Sequence, residues 1–529
     1  MEIFEKLKNW PLYPFLFALF PILFLLANNA SEVRPIESIR AIVLALLCTL
    51  LLLVLFRLIM SGWEAASLIT TIVVVMLLSY GHLYHSLRDL ILGGSQIIRH
   101  RFFLPAIIIL IIFALWIIRR NRSNLSTIPQ YLNVVSLVLL VMSIFQIAKS
   151  EVHYQRETSA GTESDSLSCN LSAPAKQAAP DIYYIILDAY TRDDVLRETY
   201  NFDNGPFLDE LREQSFYIAE KSQSNYASTI VSLTSSLNMD YLIDHSKEDS
   251  VSDAGYNQEE DRNYSMGKNS VRRELECLGY KVVSLDSGRY YSSWRDADYY
   301  LSPHKIGVER YYLAGLNEFE STVLDSSIGL IFMDVALLRA ESLLEIVDQP
   351  FRDHRERILF ALELGGSGVL NLPSPKFVFI HVISPHAPYI FSAGGDIVDQ
   401  SGPFTLLEAD GNVRSDEIEG YRNQVDFING KIIEMVRDIK DSSETPPIII
   451  IQGDHGSPKS IRDRMAILNA YHLPDSGNQG LYENITPVNS FRIIFNNYFG
   501  GSFALLEDQS FFSDHAAIYD FIEVPIHPD

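Results

Sequence analysis

Cysteine is scarce, with only Cys48, Cys169 and Cys277 in a chain of 529 residues. Three cannot build a disulfide scaffold; they leave room for one bridge, Cys169 with Cys277, which no motif spacing specifies. An excess of positive charge is also lacking. Lys and Arg number 42 against 66 Asp and Glu, and the formal charge of −24 argues against a nucleic-acid binder, which needs a basic face. No internal repeat is visible, and no short small-residue cleavage site follows the first apolar run, so a cleavable signal peptide is disfavoured. What is present is unevenly spread. Residues 1–150 carry 12 basic and 6 acidic side chains, a net of +6, while the remaining 379 carry 30 and 60, a net of −30. Two physical environments are implied, and the length calls for two to four domains.

The basic part reads as a membrane domain, residues 1–148. Five apolar runs predict spans near 11–28, 39–60, 65–83, 102–118 and 131–148. A helix needs about 20 residues to cross the hydrocarbon core, with roughly 17 as the lower limit. Buried helices of a soluble core would be the bland alternative, but Arg and Lys are almost confined to the ends of the runs. Arg57, near the end of the second, can reach the interface. Lys6, Lys8, Arg119, Arg120 and Arg122 favour a cytoplasmic N-terminus, whereas Arg88, Arg99 and Arg101 oppose it. Five crossings would put the C-terminal part outside the cytoplasm.

Residues 149–180 are polar and aperiodic, which predicts a tether. Beyond it, from 181 to 529, buried-strand patterns alternate with helical ones. Strands are expected at Asp181–Leu187, Lys281–Leu285, Lys376–Val382 and Pro447–Ile451, and helices at Phe207–Gln214, Asn269–Leu278 and Asp416–Lys440. Such alternation predicts an α/β domain with a mainly parallel central sheet. The acidic stretch Asp244–Asp261 reads as a solvated loop.

Ligands of an open parallel sheet bind beyond the carboxyl ends of its strands. The first strand ends at Asp188, and the Pro447–Ile451 strand runs into Gly453-Asp454-His455-Gly456. Carboxylates suit a hard divalent cation, and one imidazole widens the choice to Mn²⁺ or Zn²⁺. A turn or helix N-cap would explain each alone; together they predict a metal site. Between them, Ser224–Asn238 reads as a loop entering a helix near Thr229. A hydroxyl at a helix N-terminus gains from the dipole and from free N–H groups, and a cation would make it a nucleophile, although Thr is also an ordinary N-cap. His386, in Pro385-His386-Ala387-Pro388-Tyr389, lies between prolines where packing needs no imidazole. It is placed to contact a phosphate or protonate a leaving group. His381 is within its strand and reads first as an interior residue. Asn225, His381, His386 and Lys459 are the candidate substrate contacts, with Arg462 a further basic neighbour.

Asp188, Thr229-x-x-Ser232, Pro385-His386-x-Pro388-Tyr389 and Gly453-Asp454-His455-Gly456 occur in the order of the sulfatase and alkaline-phosphatase superfamily. With apolar spans ahead of them, the chain resembles its membrane-anchored branch, which includes lipoteichoic acid synthases and phosphoethanolamine transferases. The resemblance covers roughly residues 180–500, and a helix over Tyr421–Ile439 fits it. It implies an alkaline-phosphatase-like domain in which Asp188, Thr229, Asp454 and His455 hold one divalent ion (Mn, Mg or Zn). Thr229 would also be the nucleophile of a phospho-enzyme, and His386 would contact substrate. Departures are clear. Sulfatases place a Cys or Ser, convertible to formylglycine, before Pro and Arg; here Thr229, Val231 and Leu233 stand instead, which argues against a sulfatase of that kind. Ala189 follows Asp188 where many sulfatases have a second Asp, and membrane transferases often carry Glu where Asp188 stands.

The reading that follows is a plasma-membrane or inner-membrane enzyme with an extracytoplasmic catalytic domain. It would transfer a phospho-substituent from a membrane lipid donor to an envelope glycan or lipid acceptor. The alternatives are a phosphatase or phosphodiesterase of the same superfamily, or a non-catalytic domain that binds an envelope polymer.

Overall fold

Apolar side chains that face outward distinguish the first part of this chain from the rest. The computed structural model describes residues 10–30, 32–60, 62–88, 91–92, 95–96, 99–121, 128–159, 171–172, 179–242, 266–304, 315–334, 346–400, 404, 415–475, 477–514 and 518–526. The chain divides into two units. The first comprises Met1–Tyr154 with Ile306–Arg352 and Gln400–Leu407, and the second Gln155–Lys305, Asp353–Asp399 and Glu408–Asp529.

In the N-terminal part of the first unit the helices are α1 (Tyr13–Asn28), α2 (Ile39–Ile59), α3 (Trp63–Leu78), α4 (Tyr80–Arg88), α5 (His100–Arg120) and α6 (Ile128–Ser159), and its excursion adds the short helices Glu318–Ser326 and Gly329–Asp334. Three helical stretches, Pro35–Ile59, His100–Arg120 and Ile128–Val152, are long and apolar enough to cross a membrane. No more than 17% of the apolar window of each is buried. Leu51, Leu58, Ile109 and Phe145 point outward. An apolar surface this continuous needs a lipid solvent.

Of the five expected spans, three are long and apolar enough to cross a membrane on their own, and the other two differ. α1 has 16 residues and rises only about 24 Å, short of the ~30 Å core. α3 and α4 meet at a 48° bend, so they make a fourth span only as a broken pair. The excursion through residues 306–352 belongs to this unit and is tied to its helices. Arg40 pairs with Glu320, and Arg40 Nη2 also donates to the Gly315 carbonyl at 2.7 Å; Asn317 Nδ2 donates to the Glu37 carbonyl at 3.0 Å. α6 continues to Ser159, into the segment expected as a tether, because Lys149–Ser159 holds no Pro or Gly to stop it.

The second unit is built on one seven-stranded sheet. Its strands are β1 (Ile182–Leu187), β2 (Tyr217–Ile218), β3 (Lys281–Leu285), β4 (Tyr299–Leu301), β5 (Lys376–Val382), β6 (Ile448–Gly453) and β7 (Asn469–His472), in spatial order β2-β7-β6-β1-β5-β3-β4. The five strands from β6 to β4 are parallel, while β7 and β2 add antiparallel at one edge. Every residue of β1, β5 and β6 is buried, which is why these strands read as unbroken apolar runs. Tyr184, Ile186, Phe377, Phe379 and Ile450 share a core with residues from two helices, Leu233 and Leu237 of α9 (Thr229–Asn238) and Phe491 and Phe495 of α14 (Pro487–Tyr498). The remaining helices of this unit are α7 (Asp193–Tyr200), α8 (Gly205–Glu213), α10 (Ser270–Cys277), α11 (Gln349–Leu362), α12 (Ser415–Ser442) and α13 (Ile461–Met465). α12 buries Val425, Ile428, Ile432, Val436 and Ile439, a stripe at helical spacing. Cys277 is disulfide-bonded and Cys48 is free; Cys169 and the acidic stretch 244–261 lie outside the described residues.

Candidate active site

Register brings two of the predicted residues together. Leu187, the last residue of β1, is level with Gly453 at the end of β6 on one side and with Val382 at the end of β5 on the other. Asp188 and Asp454 therefore leave adjacent parallel strands at the same height. The two glycines around the Asp-His pair are there for space. A Cβ on Gly453 would meet the Tyr190 carbonyl oxygen at 2.4 Å, and one on Gly456 the Asp463 carbonyl oxygen at 2.1 Å. Ala189 adopts φ +62, a conformation that costs a non-glycine residue of order 1 kcal/mol. It is held there from two sides: its N–H donates to Asp454 Oδ1 at 3.0 Å, and its carbonyl accepts from the Tyr421 hydroxyl at 2.8 Å.

Asp188, Asp454 and His455 are all buried, and one ligand atom from each lies within 4.8 Å of the others. Nδ1 of His455 contacts the Gly456 carbonyl at 3.0 Å. A carbonyl can only accept, so Nδ1 carries the hydrogen and the Nε2 lone pair faces the cluster. That Nε2 is 3.5 Å from Asp454 Oδ2, 3.7 Å from Asp188 Oδ1 and 3.2 Å from Thr229 Oγ1. Asp188 Oδ1 and Asp454 Oδ2 are buried and accept no hydrogen bond among the described residues. Two buried carboxylate oxygens without donors are costly unless a cation meets them. Two carboxylates, an imidazole lone pair and an alcohol form a donor set that fits one divalent ion of the Mn²⁺ or Zn²⁺ type.

Thr229 opens α9, and its preceding residue Ser228 is extended and makes no side-chain cap. The first N–H groups of the helix are thus not claimed by a capping side chain and are available to an anion. The polar residues that follow in this buried helix are satisfied by the sheet and its loops. Ser232 Oγ donates to the Asp454 carbonyl at 2.6 Å, and Ser236 Oγ lies 3.0 Å from the Tyr184 hydroxyl.

Histidines ring the carboxylates. His381 Nε2 is 3.4 Å from Asp188 Oδ2, and its Nδ1 is 2.9 Å from Ser292 Oγ. The half-buried His386 donates its backbone N–H to the Asp188 carbonyl at 3.0 Å and contacts the Ala387 carbonyl through Nδ1 at 2.7 Å, leaving Nε2 as the ring's second functional atom. Its ring centroid is 6.4 Å from that of His455. Burial pushes the Asp188 carboxyl up, but the imidazoles of His386, His381 and His455 around it together outweigh it. The group is held well below the usual carboxylate range.

The remaining predicted contacts have other partners. Asn225 is buried, with Nδ2 donating to the Gln509 carbonyl at 2.9 Å and Oδ1 accepting from Val488 N–H at 2.8 Å, so its amide fastens the C-terminal segment. Lys459 lies over the Tyr200 ring at 5.1 Å, and Arg462 pairs with Asp194 and Glu198. A cavity is lined by Ala189, Pro385, His386, Tyr389, Tyr421 and Arg464, and Arg464 Nε donates to the Ala227 carbonyl at 2.7 Å. His354 of α11 is fully buried; burial and the charges of Arg289, Arg357 and His386 push its imidazole well below the ordinary value. A usable signal existed for Arg289, because β3 ends in Leu285-Asp286-Ser287-Gly288-Arg289, another strand end. His354, Arg357 and Arg464 sit on helices and carry no such mark.

No family model matches the sequence, and no curated protein matches it. The chain is similar to several solved structures. One is the C-terminal periplasmic domain of EcEptC from Escherichia coli, with 12% identity and a TM-score of 0.39 over 67% of this chain and 95% of that one. Another is the integral membrane protein lipooligosaccharide phosphoethanolamine transferase A from Neisseria meningitidis, with 11% identity and a TM-score of 0.38 over 91% and 95%. A third is the lipoteichoic acid synthase LtaP from Listeria monocytogenes, with 12% identity and a TM-score of 0.32 over 58% and 69%. At these values the likeness assigns no activity.

Proposed function

We propose that the protein is a membrane-anchored, metal-dependent phosphotransferase of the sulfatase-like superfamily. Its reaction would carry a phospho-substituent from a membrane lipid donor to an envelope glycan or lipid through a phospho-Thr229 intermediate. The observation that carries this reading is the meeting of Asp188, Asp454, His455 and the Thr229 hydroxyl, with Thr229 Oγ1 3.2 Å from His455 Nε2.

A divalent ion held by Asp188, Asp454, His455 and Thr229 would supply neutralising charge and favour the alkoxide form of the alcohol. The chain's own groups account for the rest. Thr229 Oγ1 forms the new bond to phosphorus in line with the departing oxygen, while the uncapped N–H groups of α9 receive the equatorial oxygens. His386, protonated, gives its Nε2 proton to the leaving alkoxide. Once neutral, it takes a proton from the acceptor hydroxyl that attacks the phospho-threonine. His381 keeps the Asp188 carboxylate oriented. The apolar helices of the first unit hold the enzyme in the same phase as a lipid donor, and a disulfide at Cys277 suits an oxidising, extracytoplasmic compartment.

The test is intact mass and peptide mapping of the purified full chain after incubation with a glycerophospholipid and Mn²⁺ or Zn²⁺. A phospho-adduct on Thr229 that disappears when a sugar or lipid acceptor is added supports transfer. Release of product at full rate in water alone would make the enzyme a hydrolase instead. No adduct on Thr229, with turnover retained in Thr229→Ala, overturns the reading.

A further inference from the structure

We propose a second divalent-cation site, formed by His304, Asp353 and Glu356 and separate from the Asp188/Asp454/His455 cluster. One ligand atom from each of the three lies within 4.8 Å of the others. His304 follows the edge strand β4, and its imidazole is buried, with only 7% of the side chain exposed. The turn that presents it is fixed: His304 N–H contacts Ser302 Oγ at 3.2 Å, and Ser302 Oγ donates to Asp286 Oδ2 at 2.6 Å. Asp353 and Glu356 are three residues apart on α11 and so share one face of that helix.

Chemistry points to a cation. Two carboxylates one turn apart repel each other, and the buried His304 imidazole brings a nitrogen beside them, its Nδ1 3.4 Å from Glu356 Oε2. A divalent ion can take one ligand atom from each of the three groups at once. In a tetrahedral site with bonds near 2.1 Å the ligand atoms are roughly 3.4 Å apart. Glu356 is exposed, so its side chain has room to rotate toward the other two ligand atoms. One nitrogen with two oxygens favours Zn²⁺ or Mn²⁺ over Ca²⁺, which prefers an all-oxygen shell.

The site's place in the fold gives it a purpose. An ion there would clip the end of β4 to α11, the helix that carries His354 and Arg357 toward the basic side of the active site. It would act as a structural clamp on that helix and take no part in bond making.

The experiment is metal analysis of the full chain in detergent, loaded with Zn²⁺ and freed of excess by gel filtration. Parallel samples carry His304→Ala, Glu356→Gln and Asp454→Asn, alone and combined. The expected result is that His304→Ala and Glu356→Gln each remove one equivalent of zinc. In the Asp454→Asn background, added zinc raises the melting temperature, and Glu356→Gln abolishes that rise. Glu356 is exposed, so its exchange leaves the fold intact and the loss can be ascribed to the site. Zinc content unchanged by both His304→Ala and Glu356→Gln overturns the proposal, whatever Asp454→Asn does. Failure of the Asp188/Asp454/His455 reading would show instead as zinc content untouched by Asp454→Asn.

Discussion

Thr229 Oγ1 lies 3.2 Å from His455 Nε2, although 226 residues separate them in the chain. An alcohol at the start of a buried helix therefore faces an imidazole lone pair at the end of a buried strand. The same imidazole nitrogen is 3.7 Å from Asp188 Oδ1 and 3.5 Å from Asp454 Oδ2, and the contact has consequences that can be measured.

Replacing Thr229 by Ala should lower turnover on the order of a thousand-fold or more, because it removes the hydroxyl that faces His455 Nε2. Thr229→Ser keeps the oxygen and should retain substantial activity. Steady-state rates of the two variants, beside unchanged melting temperatures, separate a chemical role from a structural one.

Chelation should abolish activity, and Mn²⁺ or Zn²⁺ should restore it. Asp454→Asn removes one charge from the cluster and should weaken metal binding at least tenfold. A saturating ion should also stabilise the wild-type chain, by about 2.7 kcal/mol at a hundred times its dissociation constant. Thermal melts across a metal titration read both effects; a wild-type curve that ignores metal would contradict the cluster's assignment.

Gly453→Ala should destabilise the chain by about 1–3 kcal/mol, since the added methyl meets the Tyr190 carbonyl and the sheet cannot open locally. The same change also disturbs the turn that aims Asp454, so activity should fall together with the melting temperature.

Lys376 and Asp181 form a buried ion pair at 2.7 Å, at the end of the sheet remote from the active site. Lys376→Met strands the Asp181 carboxylate and should cost about 3–5 kcal/mol. Adding Asp181→Asn should recover much of the loss. A double-mutant cycle on melting temperature tests this, and additive losses would show that the two groups do not depend on each other.

His472 is pushed below its ordinary value, first by burial and then by the charge of Lys440. The unfolded chain takes up this proton below pH ~6.5, whereas the folded chain resists it. The stabilisation is therefore complete above that pH and is lost as pH falls from there through the lower folded value. The melting temperature should drop over this interval, and His472→Phe, which keeps the ring beside Phe216, should make the drop shallower.

Much of the architecture was legible because the central strands are buried on both faces. Lys281–Leu285 and Lys376–Val382 were expected at the limits observed, and the helix start at Thr229 was expected as well. The two-residue β2, the three-residue β4 and the antiparallel β7 were not, since short edge strands are made by pairing and carry little pattern of their own. The spans show the same limit. Hydropathy marked α1 and the α3–α4 pair as apolar, but helix length and the bend at Ser79 are properties of the folded chain.

Asp188, Asp454 and His455 could be named from the order of residues alone, because a polar side chain directly after a fully apolar strand has to lie at that strand's end. Whether those ends meet is a matter of register, and the register of β1 with β5 and β6 is chosen by packing over the whole sheet. The same packing turned the Asn225 amide toward the C-terminal segment and set His381 against Asp188, placements that no local pattern carries. Chain chemistry decided which groups were available, and long-range burial decided which of them share a site.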